Sequence, residues 1–211
     1  MEDKFYKYSE EELLDLCLQK LSYFKRDKEY LSENGIEIDF LFQFESKIQK
    51  FKDMPDELDL ENIISTTEKN KSSTRLEIIV LLRNIEIKAR YAWGDNSHQY
   101  NDFQIKKVNS LKDIELLLFS RSVRVSSDIH FNSLVAFGLT KGLSNNLQKK
   151  NNEFYVSLTN SRRAIKFKDT TIKKRNIQSN ELYELLIKYC DIAKTSSLIH
   201  KKENAVDYDF E

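Results

Sequence analysis

The chain has 211 residues with 34 basic and 34 acidic side chains, so its net charge is zero; 40% of it is hydrophobic and 32% is charged. Four glycines and one proline exclude most sheet-rich and loop-rich architectures, because tight turns draw on both residues, and they exclude nucleotide folds built on Gly-rich phosphate loops. The opening MEDKFYKYSEEE is too charged for a signal peptide, and 18 consecutive apolar residues occur nowhere, so no membrane span is expected.

In chain order, the first predicted helix starts at Ser9, with Glu12 three residues on in capping-box spacing. Leu14, Cys17, Leu21, Phe24 and Leu31 then recur at helical steps, and Gly35 supplies the C-terminal stop. A second helix carries Leu41, Phe44, Ile48 and Phe51. Pro55 opens a third, with Asp56 and Glu57 in its first turn, and Gly94 ends it after Trp93. Its middle, Ser65 to Arg75, has no apolar residue; with no Gly or Pro to mark a break, one continuous helix is expected. Further on, Ser110 and Asp113 repeat the capping-box spacing. Val123, Val125, Ile129 and Phe131 alternate as a strand would, and Leu182, Leu186, Tyr189 and Ala193 restore a helical stripe. Leu14, Leu21, Phe44, Phe51, Leu82 and Leu186 are the expected core.

Sliding the chain by 103 residues places Glu12-Leu13-Leu14 on Glu115-Leu116-Leu117, Leu31 on Leu134, Gly35-Ile36 on Gly138-Leu139 and Phe51 on Phe154. After one inserted residue, Thr66-Thr67 meets Thr170-Thr171, Leu81-Leu82 meets Leu185-Leu186 and Ala89 meets Ala193; after three more, Asp102-Phe103 meets Asp209-Phe210. The ordered series reads as a duplication, with helical unit one at 1–104 and its copy at 105–211, and it favours helix over strand at Val123–Phe131. The expected fold is all-α: two tandem, pseudo-symmetric, antiparallel helical units with long third helices, each closed by an extended aromatic–acidic tail that lays Phe103 or Phe210 over a groove. The Glu-Leu-Leu start, the long helix bearing Ala89 and the Tyr/Phe segment joining the units resemble a group of uncharacterised bacterial proteins made of two tandem helical-bundle units. That resemblance covers most of the chain and transfers no functional residue.

Chemistry-bearing motifs are sparse. None of His98, His130 and His200 has Glu three residues before it, as helical di-iron sites require, and neither Cys17 nor Cys190 neighbours a histidine. Both cysteines lie in apolar stretches and read as buried thiols, which suits a reducing, cytoplasmic compartment. No catalytic residue, cofactor or metal is therefore expected. Arg90 and Trp93 form the one aromatic–cation concentration: a ligand-facing pair, or a plug at the bundle end with Arg90 suited to the helix C-terminus.

Charge is more informative. Residues 1–61 carry 9 basic and 17 acidic side chains, and residues 141–175 carry 10 basic and 2 acidic. Asp56, Glu57, Asp59 and Glu61 open the third helix of unit one, and Arg162, Arg163, Lys166 and Lys168 are expected to open that of unit two. Three readings follow: mutual neutralisation within one fold, docking of the acidic and basic segments on a protein partner or head-to-tail on a second copy, and phosphate binding by the basic segment 141–175 on nucleic acid. The expectation is a non-catalytic structural, scaffolding or assembly protein, with nucleic-acid binding as the alternative.

Overall fold

The structure, a computed structural model, describes residues 4–104, 108–201 and 203–210, and among these every regular element is a helix. The α-helices are α1 (Glu10–Arg26), α2 (Lys28–Ser32), α3 (Ile38–Lys52), α4 (Glu57–Trp93), α5 (His98–Asn101), α6 (Asp113–Ile129), α7 (Phe131–Leu134) and α8 (Lys141–Ile199), with 3-10 turns at Val108–Ser110, Val135–Phe137 and Glu203–Tyr208. No helix is long and apolar enough to cross a membrane among the described residues.

The capping box forms at the first helix: Ser9 Oγ accepts from Glu12 N at 3.1 Å, and Glu12 Oε2 accepts from Ser9 N at 2.7 Å. The run expected to reach Leu31 as one helix is broken at Asp27, whose carboxylate is drawn into a side-chain network described below. Leu13 fills the core position assigned to Leu14, which is only partly buried. In the second half, α6 is capped at Lys112 instead of Ser110: Glu115, aligned with Glu12, accepts from Lys112 N at 2.8 Å, and a lysine has no side-chain oxygen to complete the box. The alternation at Val123–Ile129 is carried on α6 and makes no strand.

α4 runs unbroken through its polar middle. The second half departs further from expectation, because its second and third helices are fused into the 59-residue α8. Pro55 separates α3 from α4, while the aligned stretch around Leu158 has neither Pro nor Gly. Arg162, Arg163, Lys166 and Lys168 thus lie inside α8 and do not open a helix. The tails are also compact: α5 and the turn at Glu203–Tyr208 replace the expected extended segments, and Tyr208, not Phe210, is the buried ring matching Phe103.

Two compact units result, composed differently from the sequence repeats 1–104 and 105–211. The first comprises residues 1–58 and 168–211, the second residues 59–167. In the first, α1, α2 and α3 bury Leu13, Cys17, Phe24, Phe44 and Phe51 with Leu182, Leu186, Cys190 and Ala193 from the C-terminal half of α8. In the second, Leu116, Val123 and Leu134 of α6 and α7 and Leu147 and Phe154 of α8 pack with Ile78, Leu82, Ile85 and Ala89 of α4. Each unit therefore takes its first helices from one repeat and its long helix from the other. Within the second, α4 and α6 run in the same direction, since Arg75 meets Asp113 at one end and Trp93 meets His130 at the other. α8 runs against α4 there, pairing Lys150 with Glu77 and Ser161 with Glu68.

Burial follows the alignment. Leu13 and Leu116, Cys17 and Ser120, Phe24 and Ser127, Leu31 and Leu134, Phe51 and Phe154, Leu82 and Leu186, and Ala89 and Ala193 are all 0% exposed. One aligned contact has changed character. Cys17 and Ile48 belong to the first core, whereas at their counterparts the Ser120 hydroxyl is hydrogen-bonded to Asn151 Oδ1. The Ser120 hydroxyl also lies 3.1 Å from Leu117 O, so loss of Asn151 leaves it a partner, whereas loss of Ser120 strands the buried Asn151 Oδ1, at about 1–3 kcal/mol. We therefore expect Ser120→Cys alone to be destabilising by about that amount and Asn151→Ile to recover much of the loss, as read in a double-mutant cycle of urea unfolding.

Candidate interaction surfaces

Position along the long helices decides which charges are exposed. Asp56, Glu57, Asp59 and Glu61 flank the buried Leu60 and all four are solvent-facing. Glu57 meets Lys168 at 4.0 Å within the first unit, so part of the acidic–basic contrast is neutralised inside the chain. A pair this long and exposed contributes little to stability. On α8, the turn containing Arg162, Arg163 and Lys166 points all three to solvent, while the intervening Ser161 and Ala164 are buried. Arg162 and Arg163 make no ion pair among the described residues. Ile165 and Phe167 are exposed on the same stretch.

Arg175, which the sequence groups with this basic run, is not part of the surface. It is 8% exposed and donates from Nε to Glu10 Oε2 at 3.0 Å and from Nη1 to the carbonyls of Met54 at 2.7 Å and Pro55 at 3.2 Å, with its guanidinium over the Phe51 ring at 4.7 Å. It thereby satisfies carbonyls just past the end of α3 and holds the start of α1. Burial acts to raise the Glu10 carboxyl, but hydrogen bonds from Arg175 and Lys4 outweigh it and leave the group below the usual range. In the second unit, Lys71 meets Asp113 at 3.5 Å. Asp113 aligns with Glu10 and Lys71 with Arg175, so the same clamp recurs with a different cation.

Arg90 and Trp93 are placed by packing. Trp93 lies 5.7 Å from Phe103 and 5.2 Å, edge to face, from His130 at the end of the second core. Arg90 turns outward to Asp95 at 3.2 Å. His200 interacts with Asn34, and His98 begins α5. Burial pushes both the Cys17 and Cys190 thiols up to about 12, so both are protonated near neutrality and neither is an activated nucleophile. Among the described residues no group of three metal-ligating side chains is present.

The most developed polar cluster is one that sequence reasoning missed. Asp27 accepts from Tyr208 Oη at 2.6 Å, Asn204 Nδ2 at 2.6 Å and Arg26 at 2.6 and 2.9 Å. Lys20, itself buried, donates to the carbonyls of Asp207 and Asp209 at 2.7 Å each, and Arg26 meets Asp207 at 2.8 Å. Apart from the Arg26–Asp27 pair, these contacts tie the C-terminal segment to the end of α1, so the cluster reads as a latch. Its only sequence signal was Asp27 itself, hidden in the run Lys25-Arg26-Asp27-Lys28-Glu29, which looks fully solvated.

No protein-family model, no curated protein and no solved structure matches this chain.

Two outcomes follow from these placements. Burial raises the Asp27 carboxyl, but hydrogen bonds from Arg26, Tyr208 and Tyr30 more than offset this and hold it below its ordinary 3.8. A depressed carboxyl contributes stability that is fully present above the unfolded value and is lost as pH falls through the folded one. The stability gap between wild type and Asp27→Asn should therefore be widest near pH 6 and narrow below about pH 4, as followed by denaturant unfolding across that range. Separately, Arg175→Gln should lose about 3 kcal/mol, the cost of breaking a buried pair, while Arg162→Gln stays within about 0.5 kcal/mol of wild type, both measured by urea unfolding.

Proposed function

We propose that this protein is a non-catalytic structural or scaffolding component that assembles through charge-complementary helical surfaces, with the outward face of α8 at Arg162, Arg163 and Lys166 as its basic docking side. The observation that carries the reading is the disposition of that face. Three cations stand on one exposed side of an uninterrupted helix, and the two arginines have no ion-pair partner among the described residues. Burial explains Arg175 and Glu57 explains Lys168, but nothing within the fold explains Arg162 and Arg163.

The matching surface is acidic, of the kind presented by Asp56, Glu57, Asp59 and Glu61. On a second copy this gives a head-to-tail, heterologous contact, which closes into a ring or continues as a filament. Charges at such a rim set encounter rate and register more than final affinity. Nucleic acid is the second reading, favoured by one further observation: Tyr155 and Phe167 are exposed on the same helix, where rings next to arginines can stack on bases.

Size measured by sedimentation at low and high salt tests the assembly. We expect association at low salt that weakens as salt screens the charges. Replacing Asp56, Asp59 and Glu61 by Lys, or Arg162, Arg163 and Lys166 by Glu, should each abolish it without unfolding the chain, and mixing the two variants should restore one contact. A wild-type protein that stays monomeric at high concentration and low salt refutes self-assembly. Salt-sensitive retention of RNA or DNA, lost in the Arg162/Arg163/Lys166 variant, would select the second reading.

A further inference from the structure

In the second unit, α4 is apolar on two opposite faces. Ile78, Leu82, Ile85 and Ala89 face the core. Leu76, Val80, Ile87 and Tyr91 face away from it and remain 63%, 65%, 47% and 74% exposed. At about 100° per residue these four fall within an arc of about 60°, the narrow seam of a coiled coil and not the broad stripe of a helix laid on a core. α6 carries the same spacing in Ile114, Leu118, Val125 and Ile129, all exposed.

The fold does not require these faces to be apolar. The positions aligned with the α4 seam are Asn180, Glu184, Asp191 and Thr195 on α8, and those aligned with the α6 seam are Glu11, Asp15, Ser22 and Arg26 on α1. The first unit thus builds the equivalent helices and makes these eight outer positions polar, while the seam centres are inverted: Ile187 aligns with Arg83 and Leu18 with Arg121. An exposed apolar stripe absent from the fold's own second version is a surface kept for a partner.

The seam also states what that partner carries. Arg83 sits in its middle, exposed, between Val80 and Ile87, and among the described residues its side chain makes a 3.5 Å hydrogen bond to Asn109. Its counterpart on α6, Arg121, leans over the Tyr155 ring at 5.9 Å, so α4 is the seam with the less committed arginine. A cation at the centre of an apolar seam demands an acceptor from across the interface and penalises a like charge. Two copies meeting through α4 would bring Arg83 against Arg83, which disfavours a homotypic pair.

We propose that the outer face of α4 is a docking seam for an amphipathic helix of another protein, one that presents apolar side chains at matching intervals around a central Asp or Glu. The seam is separate from the charged segments above and does not depend on them. Helix-on-seam recognition of this kind uses apolar anchors for affinity and the central ion pair for register and choice of partner.

The test uses the full-length protein and two fluorescent synthetic 22-residue helical peptides. Both have Leu at the spacing of residues 76, 80, 87 and 91; one has Glu and the other Lys at the position opposite Arg83. The Glu peptide should bind at least ten-fold more tightly, as read by anisotropy at physiological ionic strength. Arg83→Glu, an exposed change that leaves folding intact, should reverse the preference. Giving α4 the residues of its counterpart (Leu76→Asn, Val80→Glu, Ile87→Asp, Tyr91→Thr) should abolish binding of both peptides with helix content retained by circular dichroism. Equal binding of the two peptides, binding that survives the four substitutions, or no binding to wild type overturns the proposal. So does a wild-type self-association that these four substitutions abolish, since that would make the occupant a second copy.

Discussion

Burial of apolar surface between the two halves of the sequence is the constraint from which the rest of the architecture follows. Neither half of the sequence closes its own core. The stripe Leu182, Leu186, Cys190 and Ala193 from the end of the chain is covered by α1 and α3 from its beginning, and Ile78, Leu82, Ile85 and Ala89 of α4 are covered by α6 and the first part of α8. Each fully buried side chain of this size contributes about 1.5–3 kcal/mol, so forgoing either exchange would cost more than a small domain's net stability. α8 contributes to both cores and passes through its polar, basic middle without a break, since no Pro or Gly interrupts it there.

Polar groups then fix what apolar burial alone leaves loose. The clamps Arg175–Glu10 and Lys71–Asp113 occupy aligned positions and in each case join a long helix to the start of the helix it packs against. The first is buried, with its guanidinium taken up by a carboxylate, two carbonyls and a ring; in the second, Lys71 shares Asp113 with Arg75, which meets the carboxylate at 2.9 Å and the Leu111 carbonyl at 2.6 Å. The latch of Asp27, Tyr208, Asn204 and Lys20 has no such parallel. In its place the second unit closes with Trp93, Phe103 and His130, where His130 aligns with Asp27.

The two units differ most on the outside. Many of their buried positions agree, while the outer positions differ: Leu76, Val80, Ile87 and Tyr91 of α4 align with Asn180, Glu184, Asp191 and Thr195 of α8. Core positions are held by packing density, so change is tolerated mainly at the surface. The surface is accordingly where the two proposed contacts lie, at the basic turn around Arg162 and at the seam around Arg83.

Helix class, the capping box at Ser9, the continuity of α4 and most of the core were legible in the sequence, because they depend on spacing and on residue types acting over a few positions. The 103-residue offset is a reading of matched positions in the sequence, which needs no coordinates. What only the tertiary structure decided depends on neighbours distant in the chain. Spacing could not separate Arg175, buried under Glu10 and the end of α3, from Arg162, thirteen residues earlier in the same basic run and exposed. Nor could it show Asp27 beneath Tyr208, because an acid in a charged run looks solvated until a remote segment covers it. The apolar set Leu76, Val80, Ile87 and Tyr91 has the same period as the core set Ile78, Leu82, Ile85 and Ala89. Periodicity identifies a face, but only the fold decides which face has a neighbour.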